Sequence, residues 1–243
     1  ERLEAEKTRF QWSAQVRIEV ARDTELLKLM KRTHCETLFI GVESFNAETL
    51  KSMNKKQTTD EIERAMGRFR EYGLGVHGMF VLGADADTPR SIRSTVDFAI
   101  RAGFSSAQFL ILTPFPGTPI WDELSSRGRI RLGDFSLYDG HHATFEPARM
   151  SMEELQELQL ESHARFYGFR RILARLVTGR FEELAIFIYA KRLNGTWRHR
   201  NRVFMDLLRL MTRSNGMIQS VRFVHPSNRV KAWPLPYGTT LQL

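Results

Sequence analysis

An α/β fold, about four parallel strands with intervening helices and then a helical extension, is the architecture this 243-residue sequence predicts. Apolar, β-rich runs occur at Gln15–Val20, Leu38–Val42, Val76–Leu82 and Ala107–Leu112, and each is followed by helical sequence, the alternation of parallel βα units. The runs are apolar throughout rather than alternating, which predicts strands covered on both faces. Past about residue 130 the alternation stops and a helical period takes over.

Each element follows from local signals. Residues 1–11 lack an initiator Met and an apolar signal core, so they read as a lead-in from an upstream region. Asp23 stands as N-cap before "TELLKLMKR", and Asn46 before "AETLKSM". Thr58 with Glu61 forms a capping box ahead of "IERAMGRFREYG", which stops at Gly73. Thr88-Pro89 opens "RSIRSTVDFAIRAG", which stops at Gly103. Ser151 with Glu154 opens a long helix expected to run from Met152 to about Val177, its Leu/Phe stripe turned to the core. Further helices are expected over Phe181–Lys191 and Arg202–Met211, and residues 212–243 read as a poorly ordered tail.

With 42% hydrophobic and 26% charged residues the composition is globular. There is no apolar run of about 18 residues, so no transmembrane helix is predicted. The single cysteine, Cys35, excludes an intrachain disulfide and any all-cysteine metal site made by this sequence alone. Net charge is +8, unevenly spread: residues 1–162 carry 21 Lys/Arg against 25 Asp/Glu, and residues 163–243 carry 15 against 3. This basic third suits either a solvated face set against acidic neighbours or a surface for nucleic acid or anionic membrane.

In βα architectures chemistry gathers just past the C-terminal ends of strands. Those positions here are Glu43-Ser44, then Gly83 to Thr88, then Thr113 to Pro119, all polar or rich in Gly and Pro. A carboxylate accepts from an ammonium or a hydroxyl, a serine donates or accepts, and a lysine such as Lys55 meets a carboxylate as a point charge. Each has a plainer reading: Glu43 as a carboxylate at a helix N-terminus, Lys55 as a solvated cation, the glycines as turn residues. Adjacent His141 and His142 in an extended segment point opposite ways, which argues against a shared metal.

Taken in order, "FIGVESFNAETLKSMNKKQT", "GVHGMFVLGADADT", "LILTPFPGTPIWDEL" and "FSLYDGHHATFEPARMSMEELQEL" resemble the radical S-adenosylmethionine superfamily, and within it the group with an upstream cobalamin-binding domain. The resemblance covers roughly residues 12–160. It implies the C-terminal part of a partial (β/α)6 barrel over 12–130, with a mainly helical extension over 131–211. It implies S-adenosylmethionine and a 4Fe-4S cluster as cofactors, with cobalamin as a further one. The family's C-x3-C-x2-C loop is not in this sequence, so the cluster ligands, the first two strands and the cobalamin domain are expected in a missing N-terminal part.

On that resemblance Glu43 and Ser44 reach the ribose or amino acid end of the cofactor, and Lys55 its carboxylate. Gly78, Phe80 and Gly83 belong to the fifth-strand motif, where glycines let adenine lie near backbone, and Thr113 and Pro114 flank the adenine. Asp85 stands where the family often has Pro, and Asp87-Thr88 where it has Glu-Thr. Arg17 and Gln15 on the first run are candidates for the barrel interior. The implied activity is radical-initiated methylation, rearrangement or cyclisation of a small-molecule substrate in the cytoplasm. Two other readings stand beside it: a basic module for RNA or an anionic surface, and an inactive remnant.

Overall fold

The computed structural model describes residues 10–53, 55, 57–214, 220–222 and 240–242. Its centre is a four-stranded parallel sheet in sequential order, β1 (Trp12–Gln15), β2 (Cys35–Glu43), β3 (Gly75–Leu82) and β4 (Ser106–Ile111). Helices α1 (Thr24–Arg32), α2 (Ala47–Ser52), α3 (Thr59–Glu71) and α4 (Pro89–Arg101) occupy the connections, as the α/β reading requires. The expected caps form: Asp23 accepts from Leu26 N, Asn46 from Glu48 N, and Thr58 and Glu61 bond each other's backbone reciprocally. At α4 the box is completed by Ser91, with Pro89 in the first turn.

The first strand is earlier and shorter than its apolar run. Ile18–Arg22 coils into a 3-10 turn that buries Ile18 and Ala21. Their i, i+3 spacing puts both on one side of such a turn, and that side packs on α3.

Coverage also differs from the expectation of two buried faces. From Thr37 along β2 and throughout β3, buried and half-exposed residues alternate. Leu38, Ile40 and Val42, then Val76, Gly78, Phe80 and Leu82, lie under the helices, while Phe39, Gly41, His77, Met79 and Val81 line an open face. Both faces are largely apolar, so the sequence shows no alternation although the burial does.

Beyond α5 (Pro119–Ser126) the chain crosses back and enters α6 (Met152–Phe166). The single long helix expected to Val177 is two, because the chain breaks at Tyr167-Gly168 before α7 (Phe169–Val177). Gly168 has nearly no room for a side chain, its Cβ position lying 3.0 Å from Arg165 O. The stripe divides with it. Leu155, Leu158 and Phe166 are core, whereas Phe169, Leu173, Leu176 and Val177 are exposed. Helix α8 (Phe181–Arg200) runs nine residues past its expected end, and α9 (Arg202–Arg213) follows. Most of the tail expected to be poorly ordered lies outside the described residues, as do residues 1–9 of the lead-in; within the tail, β5 (Ser220–Arg222) pairs in parallel with β6 (Thr240–Gln242).

Helix α6 closes one edge of the sheet with side chains. Tyr167 Oη accepts from Ala107 N (3.0 Å) and donates to Ala107 O (2.6 Å). His163 Nε2 accepts from Phe109 N (3.4 Å), Gln159 Nε2 donates to Phe109 O (3.1 Å), and Gly140 O takes Ile111 N (2.7 Å). The outer groups of β4, which an edge strand leaves unpaired, are satisfied by Gln159, His163 and Tyr167, spaced four apart along α6 and its C-cap, and by Gly140 O. Tyr167→Phe should therefore strand a buried N–H and C=O and lower unfolding stability by about 1–3 kcal/mol. Urea titration checks this, and an unchanged midpoint would show the hydroxyl to be dispensable.

Three cations of the basic C-terminal third pair with acids of the rest of the fold: Arg165 with Asp97 (2.6 Å), Arg209 with Glu153 (3.6 Å), and Arg198 with Glu157. Among the described residues no helix is long and apolar enough to cross a membrane.

Candidate functional site at the strand ends

The open face is ordered by register. Gln15, Phe39, His77 and Ser106 form one row across the four strands, and Gly41, Met79 and Gln108 the next. His77 Nδ1 lies 2.8 Å from Ser106 Oγ, and Phe39 stacks obliquely on the His77 ring at 4.9 Å. Burial holds the His77 pKa below the usual imidazole value. Of these, only Gln15 stands out in the sequence; Phe39, Gly41, His77, Met79 and Gln108 lie inside apolar runs that show no alternation, and Ser106 just before one.

At the C-terminal end of β2 the ladder slips between Gly41 and Glu43, so that Val42 is an extra residue. Glu43 adopts a left-handed φ of 64°, and Ser44 N donates back to Val42 O at 2.8 Å. A three-residue turn with positive φ on a non-glycine is sparsely populated and costs roughly 1–3 kcal/mol. It rotates the Glu43 side chain over Gly41, where Oε1 meets Lys55 Nζ at 2.9 Å. Gly41 is needed for that position, since a Cβ there would lie 2.7 Å from Glu43 Oε1. Gln57 Nε2 donates to Val42 O (2.8 Å) and ties the segment after α2 to the same turn. Asn54 and Lys56, which flank Lys55, lie outside the described residues.

The remaining predicted residues divide. Ser44 is buried, its Oγ accepting from Asn46 N (3.0 Å), so it shapes the turn into α2. Thr113 Oγ1 donates to Ile111 O (3.0 Å) and Pro114 is buried behind it, at the end of β4. Arg17 stands beyond β1 in an exposed ion pair with Glu19 (2.8 Å). Gly78 and Phe80 face the helices instead of the open side: Phe80 is fully buried and stacks on Phe109 at 5.1 Å. A Cβ on Gly78 would lie 2.7 Å from Phe104, so on the helix side this position admits no side chain. A Cβ on Gly83, whose φ is 96°, would lie 2.8 Å from Leu155.

The loop after β3 is held by its two acids. Asp87 is buried, accepting from Gly83 N (3.0 Å), Ala84 N (3.2 Å) and Thr49 Oγ1 (2.7 Å). Burial raises its pKa against those bonds. Asp85 takes a two-pronged bond from Arg129 (2.7 and 2.9 Å), which lowers its pKa. Asp87 and Asp85 thus clamp the loop to α2 and to the segment after α5.

The donor set fits one end of S-adenosylmethionine. A carboxylate and an ammonium 2.9 Å apart on a half-exposed ledge complement the two charges of an α-amino acid group. For an iron–sulfur cluster the fit fails in this chain. Cys35 is buried at the opposite end of β2, and the described residues contain no group of three or more His, Cys, Asp or Glu placed to hold a metal. His141 and His142 turn to different partners, Gln159 and Asp139.

The family model described as the Radical SAM superfamily matches residues 5–99, and the chain belongs to that superfamily. Within it the chain is 32% identical over 171 residues to the bacteriochlorophyllide d C-12(1)-methyltransferase of Chlorobaculum tepidum, covering 70% of this chain and 37% of that enzyme. It is 27% identical over 160 residues to the anaerobic magnesium-protoporphyrin IX monomethyl ester cyclase of Cereibacter sphaeroides, covering 65% of this chain and 26% of the relative. Among solved structures, the radical S-adenosylmethionine methyltransferase TsrM from Kitasatospora setae, with cobalamin and a [4Fe-4S] cluster bound, superposes on 48% of this chain and 22% of its own, with TM-score 0.39 and 21% identity. The chain therefore spans well under half the length of these relatives.

Proposed function

We propose that the open face of the sheet binds S-adenosylmethionine, and that the whole protein uses it in a radical-initiated methylation or cyclisation of a small molecule. The observation that carries this reading is the Glu43–Lys55 pair, presented by a strained turn at a strand end. Lys55 would meet the cofactor's carboxylate and Glu43 its ammonium or a ribose hydroxyl. Thr113 and the backbone around Pro114 would border the adenine from β4. Phe39, Met79 and Val81 would exclude water beneath it, and His77 would stay neutral there. When bound, the cofactor supplies methyl-transfer or radical chemistry; the chain's own residues bind, orient and desolvate. A cluster-bearing segment outside the described residues would supply iron, and β1, whose outer edge faces away from β2, is where further strands of the barrel would add. The named relatives, methyltransferases and a cyclase, favour a carbon-modifying outcome.

Calorimetric titration with S-adenosylmethionine tests the site without needing turnover. The 243-residue chain should bind saturably, and Glu43→Gln or Lys55→Met should each weaken binding by roughly 10- to 100-fold, the worth of a hydrogen bond to a charged group. Binding untouched by both substitutions would move the site elsewhere. Anaerobic reconstitution with iron and sulfide makes a separate point. This chain alone should develop no four-iron absorbance, and a stable cluster band would overturn the assignment of its ligands to another segment.

A further inference from the structure

The α7–α8 hairpin carries a surface that neither the core nor the strand-end site uses. Fourteen large hydrophobic side chains stand exposed among the described residues, and nine of these lie between Phe169 and Leu193, so the exposure is concentrated rather than scattered. On α7, Phe169, Leu173 and Val177 follow at four-residue spacing along the outer side, at 68%, 47% and 78% exposure. Phe181, Ile188 and Tyr189 continue the surface on α8.

The inner side is built differently. The Arg171 guanidinium lies 3.9 Å from the Phe166 ring centroid, and Arg175 lies 3.7 Å from that of Phe187. Arg171 donates to Phe104 O (3.0 Å) and Phe166 O (3.1 Å), and Arg175 Nε meets Glu183 Oε2 at 3.0 Å. Buried cations and aromatic rings thus anchor the hairpin and hold its apolar side outward. Residues 169–200 contain eight Lys/Arg against two Asp/Glu, and one of those acids, Glu183, is turned inward to Arg175. Arg170, Lys191, Arg192 and Arg200 remain exposed in the same hairpin, as does Arg180, which also reaches Glu183 Oε1 at 3.5 Å.

We propose that this hairpin docks on an anionic lipid surface, its apolar side entering the headgroup–acyl boundary and its flanking cations meeting lipid phosphates. Charge and shape favour lipid over RNA. Single-stranded nucleic acid is bound by aromatic platforms within a basic groove, whereas here an aliphatic-rich surface projects outward with cations along its margin. The proposal does not depend on cofactor binding at the strand ends.

Flotation of the 243-residue chain tests it, using vesicles of phosphatidylcholine alone or of an equimolar phosphatidylcholine–phosphatidylglycerol mixture. The chain should float with the anionic vesicles, stay behind with the neutral ones, and be released as salt is raised. Arg180→Gln, Lys191→Gln and Arg192→Gln together should weaken partitioning on the order of 100-fold, each surface cation contributing roughly fivefold. Phe169→Ser, Val177→Ser and Phe181→Ser together should abolish flotation and leave the circular dichroism spectrum and urea midpoint unchanged, since all three side chains are already in solvent. Equal flotation on both vesicle types would overturn the proposal. So would absent flotation, whether accompanied by binding of a single-stranded RNA oligomer, by self-association that the Ser variant removes, or by neither.

Discussion

Phe80→Ala should lower the unfolding free energy by about 4 kcal/mol, the usual cost of deleting a buried aromatic ring. Phe80 is fully buried, stacked on Phe109 at 5.1 Å and edge-on to Phe104 at 5.6 Å, and it lies between the sheet and its helices. The neighbours that would have to collapse into the gap are rigid rings, so little of the cavity can be recovered. Phe80→Leu should cost about 1 kcal/mol by comparison, since it keeps much of the volume. That second variant separates packing from ligand contact. A folded Phe80→Leu protein that binds S-adenosylmethionine as the parent does would confirm a packing role, whereas a tenfold loss with stability intact would return Phe80 to the cofactor site.

Acid should weaken the fold through His163 before most carboxylates titrate. Its ring is buried against Phe109, accepts from Phe109 N at Nε2 and donates from Nδ1 to Gln159 O (3.1 Å). Burial pushes its pKa down to about 4. The unfolded chain takes up this proton near pH 6.5 and the native chain does not, so the neutral ring's contribution is complete above pH 6.5 and is lost as pH falls towards 4. A shift of about 2.5 pH units corresponds to roughly 3 kcal/mol over that window. Neighbouring His141, also lowered by burial, acts in the same direction. Urea unfolding at pH 7, 5.5 and 4.5 should show the decline. His163→Gln can still accept from Phe109 N and should flatten it, and an identical slope in both proteins would remove His163 from the account.

Much of the fold was legible because it rests on local rules. Asp23, Asn46, Thr58 and Thr88 cap helices where their residue types say they should, and three of the four strands fall on their apolar runs. Glu43 and Lys55 were legible as separate cofactor contacts through the family pattern, but not as an ion pair, since nothing local announces that Gly41 lets a carboxylate fold back across its own strand. The burial of Phe80 and the packing of Phe104 against Gly78 were hidden for a related reason: a motif says which strand approaches a cofactor, but not which of its two faces a side chain takes. The exposed half of the Leu/Phe stripe was invisible because a helical period fits a buried and an exposed amphipathic side equally well.

The sequence by itself determined the order of strands and helices, the caps that start them, the family pattern and the concentration of positive charge in the last third. Capping, turn and period signals act over three or four residues, so they survive without knowledge of the rest of the chain. The tertiary structure alone decided which face of the sheet stays open, how α6 seals the β4 edge with Tyr167, His163 and Gln159, and where α7 turns its apolar side outward. The β4 seal joins residues 50 to 60 positions apart, beyond the reach of any local signal, and burial is a property of a residue's partners rather than of the residue.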